Sequence, residues 1–527
     1  MTRYDVVVSG AGPVGLLLGC ELRLGGVDRV LIVERMAEPD ETIKAGAVNT
    51  PTVMALDRRG MLPALVQVQR RAMELFREFQ RARGGDENTP PPPKFAGHFA
   101  GIMLDARLLD AADPAFADAG PAGDVGLVPQ AALERLLADR ARELGVELRR
   151  GVELTGFEQD DDGVTVHLAP TGGPAPESVR AGRLVGCDGG RSTVRKLAGF
   201  DFPGTPPEIT GYQAMVGLAG AEGLGAGWIA TDAGLYAYGP VPGRILTVEF
   251  DGPPADRTTP VTAEELQGSL RRVSGVDVTV TEVRTATRFT DNCRQVTDYR
   301  AGRVLLAGDA AHVHSPFGGQ GLNLGIGDAM NLGWKLAAVV CGRAPESLLD
   351  SYTAERHPIG AWVLEWSRAQ VALMRPESHA RSLRAVVTDL TRTVDGTTHL
   401  VKKISGVWQH YDLPGSHPLV GRSAPDLELA DGSRLADHLH GGRALLLDLA
   451  DDPKLRAEAE GYGGRVDVRA AACPGRPELA GLLVRPDGFT AWAADRQGPD
   501  AGREQAGQEP GEPVADALER WFGAPAA

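Results

Sequence analysis

The chain has 527 residues, of which 43% are hydrophobic, and its 55 basic and 70 acidic residues give a net charge of −15. This length predicts two or three domains, and the apolar content is sufficient for a globular core. An acidic chain without a basic block is a poor candidate for binding nucleic acid or an anionic membrane, and no apolar run reaches the roughly eighteen residues that predict a membrane span.

The N-terminus begins directly with a strand pattern at residues 4–8, without the basic segment and apolar run of a signal peptide. The five cysteines are scattered, with neither a CxxC pair nor the spacing of a metal site. Free thiols in a reducing cytosol are the simplest account. We therefore expect a cytoplasmic protein that binds no metal.

The first motif, GxGxxG at residues 10–15, follows a buried-strand run and opens a helical run. In that context Gly10 permits a tight turn, Gly12 lets a pyrophosphate approach the backbone, and Gly15 lets the helix pack closely on the strand. The motif therefore predicts a dinucleotide site.

A second strand, predicted at residues 30–33, ends at Glu34. A carboxylate in this position accepts hydrogen bonds from a ribose diol and repels a 2′-phosphate. The site is therefore predicted to prefer the adenosine of FAD or NAD over that of NADP.

Between residues 44 and 204 the chain alternates helical and strand patterns. A helical run that ends at Gly60 is predicted within 44–59, further helices are predicted at 66–85 and 130–144, and strands at 146–148, 152–157 and 164–168. The proline run 90–93 marks a break, and residues 95–104 fit either a strand over a pocket or a surface hairpin. The acidic triplet 160–162 is interpreted as a solvated hairpin tip rather than a metal site.

Another strand is predicted to end at Asp188-Gly189, where Ser192 or Thr193 can cap the following helix. Residues 205–300 then alternate in short apolar runs. That pattern predicts an antiparallel sheet inserted between two parts of the nucleotide-binding domain.

The most informative stretch follows, at residues 302–336. A predicted strand at 304–307 ends at Gly308-Asp309, and a loop with Pro316 and several glycines leads into a helix. The carboxylate can bind ribityl or phosphate-linked hydroxyls, and a helix N-terminus offers N–H groups to electron-rich oxygens. This order predicts a site for a polyol-phosphate chain and a flat ring.

The C-terminal third is predicted to be helical and then mixed. The patterns indicate a helix at 348–366 that breaks near Pro358, helices within 377–408, a linker at 415–426, strands at 444–449 and 466–471, a hairpin at 482–492, a polar segment at 496–512 and a final helix near Trp521. Cys473 is the only cysteine beyond residue 420. A thiol-exchange role needs two, so packing or subunit contact is expected there.

These motifs resemble those of the class A flavoprotein monooxygenases, the group of para-hydroxybenzoate hydroxylase and phenol hydroxylase. The matching features are GxGxxG with Glu34, Asp188-Gly189, Gly308-Asp309, and the runs 318–323, 328–336 and 352–358. The resemblance covers roughly residues 1–370. The run 483–488 with Trp492 resembles the thioredoxin-like tail of the phenol-hydroxylase and aromatic-polyketide branch.

The resemblance implies a set of FAD-contacting residues: Gly10, Gly12, Pro13, Val14, Gly15, Glu34, Arg35, Lys44, Gln130, Asp188, Asp309, Gly321, Leu322 and Asn323. Asp188 would lie where FAD and transient NADPH contacts meet. Lys44 stands where the family usually has Arg, which keeps the charge but loses the bidentate fork. The catalytic residue is not identified; Pro316, above the flavin, and His312, near it, are the candidates.

The resemblance also implies an α/β architecture. We expect a Rossmann-like FAD-binding domain (1–75, 125–204 and 285–372), an inserted antiparallel β-sheet substrate-binding region (76–124 and 205–284), a helical connector (373–420) and a thioredoxin-like C-terminal domain (421–527). A homodimer is left open.

The implied activity is that of a monooxygenase and hydroxylase in antibiotic biosynthesis. NADPH or NADH would reduce FAD, and a C4a-peroxyflavin formed with O2 would deliver one oxygen atom to a polycyclic aromatic polyketide. A Baeyer–Villiger or ring-opening oxygenase is the alternative, and a flavin-binding regulatory module is the non-enzyme alternative. The Trp-x-Trp-x-Ile-Pro signature of flavin-dependent halogenases is absent.

Overall fold

The structure is a computed structural model that describes residues 2–40, 42–82, 97–171, 176–239, 241–256, 259–496 and 512–526. The predicted break at 90–93 and most of the polar segment 496–512 lie outside these residues. No helix of the described part is both long and apolar enough to cross a membrane.

The strands of the described part are, in chain order, β1 Arg3–Ser9, β2 Val30–Glu34, β3 His98–Phe99, β4 Ile102–Met103, β5 Glu147–Arg150, β6 Val152–Asp160, β7 Gly163–Pro170, β8 Glu177–Gly186, β9 Gly204–Thr205, β10 Thr210–Ala219, β11 Gly227–Thr231, β12 Gly234–Tyr238, β13 Arg244–Glu249, β14 Thr279–Phe289, β15 Cys293–Gln295, β16 Arg300–Ala301, β17 Val304–Leu306, β18 His312–Val313, β19 Ala444–Asp448, β20 Val466–Ala470, β21 Leu479–Val484 and β22 Thr490–Asp495.

The α-helices of the same residues are α1 Pro13–Leu24, α2 Thr50–Asp57, α3 Leu62–Ala82, α4 Gln130–Glu143, α5 Thr193–Leu197, α6 Ala263–Ser274, α7 Gln320–Val340, α8 Asp350–Met374, α9 Ser378–Leu390, α10 Val394–Ser405, α11 Pro453–Glu458 and α12 Val514–Phe522. Short 3-10 turns connect several of them.

The largest sheet has a parallel centre in the order β17-β8-β1-β2-β5. Three of these strands, β1, β2 and β17, contain buried apolar runs at 6–8, 30–33 and 304–306, as expected for strands that are covered on both faces. Helix α1 lies beside it, and Leu16, Leu17 and Leu18 of this helix are almost fully buried in the same apolar core. Parallel strands end at the same edge, so the turns after β1, β2, β8 and β17 are brought together.

A second sheet is antiparallel, in the order β11-β12-β13-β10-β14, and comes between β8 and β17 in the chain. The strands predicted within residues 205–300 are therefore present. Helix α6 covers one face of this sheet, where Leu266 and Leu270 pack on Ala214 and Ile245. The other face is turned towards α8 and the loop before α7.

The C-terminal residues form a four-stranded sheet in the order β20-β19-β21-β22, with β19 and β20 parallel and the other pairs antiparallel. Cys473 is buried in its apolar core and forms no disulfide. On the other face, Trp521 and Phe522 of α12 pack against Trp334 of α7. The C-terminal part is therefore joined to the rest of the chain through α7.

The structure corrects one sequence prediction and decides between the two alternatives left open by another. The prediction that the helix breaks near Pro358 is wrong, because α8 continues through Pro358 to Met374. An interior proline costs about 3 kcal/mol, and burial of Tyr352 and Arg356 before it and Val363 after it offsets that cost. Residues 98–103 form a short hairpin, but it is not a surface hairpin, because Phe99 and Ala100 are buried against α8.

A buried ionic network holds the C-terminal hairpin to the two long helices. Arg485, in the β21–β22 turn region, donates two hydrogen bonds of 2.9 and 2.7 Å to the Glu355 carboxylate of α8. Lys335 of α7 lies 3.0 Å from the same carboxylate, and Asp487 pairs with Arg485 from its own turn. Burial alone would raise the pKa of Glu355, but Arg485 and Lys335 hold it at about 2.

We predict that Glu355→Gln destabilises the protein by about 3–5 kcal/mol at pH 7, because it leaves buried cations short of one negative charge. The pKa of Glu355 is lowered from 4.5 to about 2 by folding, so the carboxylate stabilises the fold above pH 4.5. That contribution, on the order of 3 kcal/mol, is lost as the pH falls towards 2. Thermal unfolding followed by circular dichroism should show the gap in Tm between the two proteins narrowing below pH 4.5.

The matched control for this experiment is Glu365→Gln. Glu365 lies on the same helix and pairs with Arg368, but its side chain is 72% exposed, so little change in Tm is expected. A Tm difference for Glu355→Gln that stays constant from pH 7 to pH 3 would contradict the assigned role of the charge.

Candidate active site

The three sequence motifs meet at the carboxyl edge of the parallel sheet. Ser9, the last residue of β1, is in register with Val33 of β2 and with Gly186 of β8. Leu306 of β17 is also in register with Gly186. The turns that follow carry Gly10, Glu34, Asp188 and Asp309, so residues distant in sequence line one crevice. This is where open α/β sheets bind their ligands.

The glycines of the first turn have different surroundings. Gly10 has φ +107°, and a Cβ there would overlap the Cys187 carbonyl. A Cβ on Gly15 would overlap the Gly10 carbonyl, whereas a Cβ on Gly12 would meet no atom within 4 Å. Gly10 and Gly15 are therefore required by packing, and Gly12 borders open space at the start of α1. Pro13 opens α1, and Val14 packs against Gly308.

The Glu34 carboxylate is fixed at the end of β2. One oxygen accepts a hydrogen bond of 2.9 Å from the Ala11 N–H, and the other accepts one of 2.9 Å from the Met36 N–H. Glu34 remains half-buried, while Arg35 next to it is exposed. The carboxylate therefore faces the glycine turn at a defined position.

The Asp188 carboxylate stabilises the turn before α5. It accepts hydrogen bonds from the Ser192 hydroxyl at 2.5 Å and from the backbone N–H groups of Thr193 and Val194 at 2.7 and 3.1 Å. Ser192 in turn caps α5 by accepting from the Arg195 N–H. Of the two predicted cap residues, Ser192 is the one used, and Asp188 fixes the turn that holds it.

Asp309 is exposed at the end of β17 and forms no hydrogen bond within the described residues. A Cβ on Gly321, at the start of α7, would lie 3.3 Å from His314 Nε2 and 3.9 Å from Asp309 Oδ1. Helix α7 starts after Gly319, which has φ +63° and provides no side-chain cap. The first N–H groups of α7, around Gly321 and Leu322, therefore point into the crevice near an unengaged carboxylate.

Asn323 connects α7 to α2. Its side-chain oxygen accepts hydrogen bonds of 2.8 Å from both the Asn49 N–H and the Thr52 hydroxyl, and its amide donates to the Gly319 carbonyl at 2.8 Å. The side-chain oxygen is thus engaged inside the protein. One amide N–H and the backbone of Asn323 are left to meet a ligand.

Lys44 and Gln130 are brought near each other by one backbone hydrogen bond. The Gln130 N–H donates to the Ala45 carbonyl at 2.9 Å. The Lys44 ammonium is 2.9 Å from the Asp40 carboxylate, and its side chain is 41% exposed. This exposed pair leaves Lys44 able to move, because surface pairs contribute little.

His312 does not reach the crevice. It is fully buried, and its Nε2 is 2.7 Å from the Asp328 carboxylate. The other Asp328 oxygen accepts a hydrogen bond of 2.8 Å from Arg356. Burial alone would raise the pKa of Asp328, but Arg356 and His312 hold it below its ordinary value. His312 is therefore a structural partner of Asp328, whereas Pro316 is exposed at the loop.

An aromatic cluster faces the crevice from the antiparallel sheet, the loop before α7, and α8. Phe317 lies edge-on to Trp228 and Phe289, with ring centroids 6.4 and 5.9 Å apart. The ring centroids of Phe99 and Trp366, the latter on α8, are 4.6 Å apart. Trp228, Phe289 and Trp366 are only half-buried, so their rings form an apolar wall that a flat molecule can contact.

The comparison with known proteins identifies the family. Residues 3–367 match the family model described as "FAD binding domain", and residues 417–525 match "Aromatic-ring hydroxylase, C-terminal". The chain belongs to the FAD-dependent aromatic-ring hydroxylases. It is a flavin-dependent monooxygenase, and FAD is its cofactor.

Relatives match along nearly the whole chain. A 12-dehydrotetracycline 5-monooxygenase/anhydrotetracycline 6-monooxygenase of Streptomyces rimosus is 42% identical over 550 residues, which cover 99% of this chain and 100% of the relative. A dialkyldecalin synthase of Streptomyces rugosporus is 38% identical over 529 residues and covers 98% of both chains. The solved structure of the anhydrotetracycline hydroxylase OxyS from Streptomyces rimosus superposes with a TM-score of 0.83 at 41% identity, covering 100% of both chains.

Asp328, Arg356 and Glu355 were not predicted to be organising residues. All three are buried and ionised. They lie within runs that carried the family resemblance, but charged residues on a helix ordinarily face solvent. The available signal was charge inside otherwise apolar stretches of α7 and α8.

We predict that the purified protein carries one FAD per chain, and that Glu34→Arg and Asp309→Ala each lower its flavin content. Losing one charge-assisted hydrogen bond costs about 1.5–3 kcal/mol, or roughly tenfold or more in Kd. The ratio of flavin to protein absorbance after dialysis measures the effect.

Matched controls are Glu38→Arg and Asp161→Ala, which make the same changes at exposed positions. They should keep the wild-type flavin content. Full occupancy in both Glu34→Arg and Asp309→Ala would show that the crevice does not hold FAD in the way that the motifs indicate.

Proposed function

We propose that the protein uses FAD, NADPH or NADH, and O2 to add one oxygen atom to a polycyclic aromatic polyketide. The observation that carries this proposal is the half-buried aromatic wall of Trp228, Phe289 and Trp366, which faces the crevice at the start of α7. Such a wall suits a flat, extended substrate better than a small polar one. The names of the Streptomyces rimosus relatives support the same substrate class.

The residues of the crevice fit FAD. Gly12 and the N-terminus of α1 would hold the pyrophosphate, and Glu34 would accept hydrogen bonds from the adenosine ribose. Asp309, exposed and without a hydrogen bond, would accept hydroxyls of the linking chain. The first N–H groups of α7, at Gly321 and Leu322, would stabilise negative charge on the ring system.

FAD supplies hydride acceptance and activation of O2, and the chain supplies position and environment. The aromatic wall excludes water from one side of the crevice, which limits loss of reducing equivalents to solvent. The chain also orients the substrate, because a flat ring that stacks on Trp228 or Trp366 has few ways to lie. No proton-transfer role falls to His312, since its ring is fully buried on Asp328.

NADPH or NADH is proposed to act from a transient site. In the described part of the chain, the glycine turn with Glu34 is the recognised dinucleotide site, and FAD would occupy it. Lys44 lies two residues before Gly46, which faces Arg244 across the crevice, and Lys44 can move because its contact with Asp40 is partly exposed. A mobile cation at this place suits docking of an anionic cosubstrate.

The same proposal includes the domain roles. The antiparallel sheet would bind the substrate, and the C-terminal part would form a thioredoxin-like domain whose role is packing. Cys473 is buried, and the sequence holds no second cysteine nearby, so thiol exchange is not expected there. A Baeyer–Villiger or ring-opening outcome uses the same site and is distinguished by its product.

We predict that NADPH oxidation is slow in the enzyme alone and accelerates at least about tenfold, or about 1.4 kcal/mol of barrier, with an accepted polycyclic aromatic such as anhydrotetracycline. Linking reduction to substrate binding avoids wasting NADPH. With 18O2, mass spectrometry should find one labelled oxygen atom in the product, and a small aromatic acid such as benzoate serves as the negative control.

Label that comes only from water, or NADPH use that is equal with and without every polycycle tested, would argue against a monooxygenase of this substrate class. Conversion of a polyene without NADPH would instead favour a cyclising activity. The name of the Streptomyces rugosporus relative, dialkyldecalin synthase, is the observation that supports this alternative.

A further inference from the structure

We propose that Gln213, Arg244 and Thr285 form a polar subsite that binds an ionised oxygen substituent of the polycyclic substrate and so fixes which edge of the ring system is oxygenated. The proposal rests on the proposed function and deepens it. We call these three residues the sheet subsite. They lie on neighbouring strands of the antiparallel sheet, apart from the motif residues that surround the carboxyl edge of the parallel sheet.

Strand register places the sheet subsite on one face. Arg244 of β13 lies opposite Met215 of β10, and Met215 lies opposite Thr285 of β14. Gln213 is two residues from Met215 on the same strand and therefore shares its face. Residues opposite each other have Cβ atoms about 5 Å apart, and diagonal neighbours are about 7–8 Å apart. Arg244 and Thr285 lie on the two sides of β10 with Met215 between them, about 10 Å apart, so the edge of an extended polycycle can reach all three side chains.

That face is the one turned to the crevice. Leu246 lies opposite Gln213 and belongs to the apolar cluster that contains Phe317 and Leu373. Arg244 reaches the far side of the crevice: its Nη1 would be 3.9 Å from a Cβ on Gly46. The sheet subsite is thus bordered by the aromatic wall on one side and by the segment after Lys44 on the other.

The polar groups of the sheet subsite have no partners within the described residues. Gln213 is 8% exposed, and its Nε2 donates no hydrogen bond. The Thr285 hydroxyl is likewise buried and unpaired. Arg244 is half-buried with neither an ion pair nor a side-chain hydrogen bond, and burial lowers its pKa. Buried polar groups are normally satisfied, so this cluster points to a ligand.

The opposite face of the same sheet shows the ordinary arrangement. Thr247 and Ser269 share a hydrogen bond of 2.8 Å, and the Tyr212 hydroxyl donates to Glu265 at 2.8 Å. Glu249 pairs with Arg272 at 2.8 Å. Buried polar groups under α6 are therefore matched with partners, whereas those facing the crevice are not. The same strands carry paired polar groups on one face and unpaired ones on the other, so the lack of partners depends on facing the crevice.

The chemistry of the sheet subsite selects its ligand. Arg244 provides a guanidinium whose charge is uncompensated, which favours an anionic oxygen such as a phenolate or the enolate of a 1,3-dicarbonyl. The Gln213 amide can donate to a neighbouring carbonyl, and Thr285 can donate or accept. With rings stacked on the aromatic wall, such an edge would be held at the sheet and the opposite edge left towards the start of α7.

The test measures binding to the FAD-loaded enzyme by isothermal titration calorimetry, with anhydrotetracycline, alizarin and anthraquinone as probes. Alizarin and anthraquinone share a ring system, but only alizarin has ionisable hydroxyls. Arg244→Gln should weaken binding of anhydrotetracycline and alizarin by about tenfold and leave anthraquinone within about twofold. Arg244→Lys should lose less than Arg244→Gln, and Gln213→Leu and Thr285→Val should weaken the oxygenated probes severalfold.

The matched control is Arg284→Gln. Arg284 precedes Thr285 on β14 and pairs with Glu282, and its side chain is 58% exposed, so its variant should bind all probes as the wild type does. Equal weakening of alizarin and anthraquinone by Arg244→Gln, or loss of FAD instead of probe affinity, would overturn the assignment. So would a wild-type enzyme that binds none of the oxygenated probes.

Because binding is measured apart from turnover, the two proposals can fail separately. An enzyme that binds anhydrotetracycline through Arg244 but never incorporates oxygen from O2 supports the sheet subsite and refutes the proposed function. An enzyme that oxygenates it while the subsite variants bind normally refutes the sheet subsite alone.

Discussion

The geometry of the crevice depends on one buried carboxylate, that of Asp328. It accepts a hydrogen bond of 3.0 Å from the Gly308 N–H, lies 2.7 Å from His312 Nε2, and accepts from Arg356 at 2.8 Å. A buried anion is costly unless it is paired and hydrogen-bonded. Asp328 meets that condition only if the turn after β17, the strand at His312 and helix α8 all take their observed places. The exposed position of Asp309 follows, because its neighbour Gly308 is fixed from below.

The same logic extends to the C-terminal sheet. Arg356 and Glu355 are adjacent on α8, yet Arg356 serves Asp328 and the crevice while Glu355 serves Arg485 and the C-terminal hairpin. Tyr411 touches both systems, since its hydroxyl accepts from Arg356 and its ring lies 5.5 Å from the Arg485 guanidinium. Each pair is worth little as a net contribution but is expensive to break. The C-terminal part is therefore coupled to the site through charge burial.

The sequence was sufficient where a local pattern carries its own physical reason. GxGxxG, the strand ends at Glu34 and Asp309, and most strands of both large sheets were predicted because glycine turns and apolar periodicity are local properties. It was insufficient where a distant partner decides the outcome. The helix through Pro358 survives because its two halves are buried by other elements, and His312 is held by Asp328, sixteen residues later in the chain. Neither result can be read from a window of neighbouring residues.

The two faces of the antiparallel sheet differ in how their polar residues are paired, and this difference connects the fold with substrate specificity. A strand places alternate side chains on opposite faces, so one stretch of chain must meet two different demands. Under α6 the polar residues are satisfied by the helix, as stability requires. Towards the crevice the chain leaves Gln213, Arg244 and Thr285 unmatched beside aromatic rings, which costs stability in the free protein. Polar groups left unpaired in this way favour a ligand that satisfies them over an isostere that does not. The FAD-binding domain is shared with the family, and it is on this face of the sheet that the chain can select its own substrate.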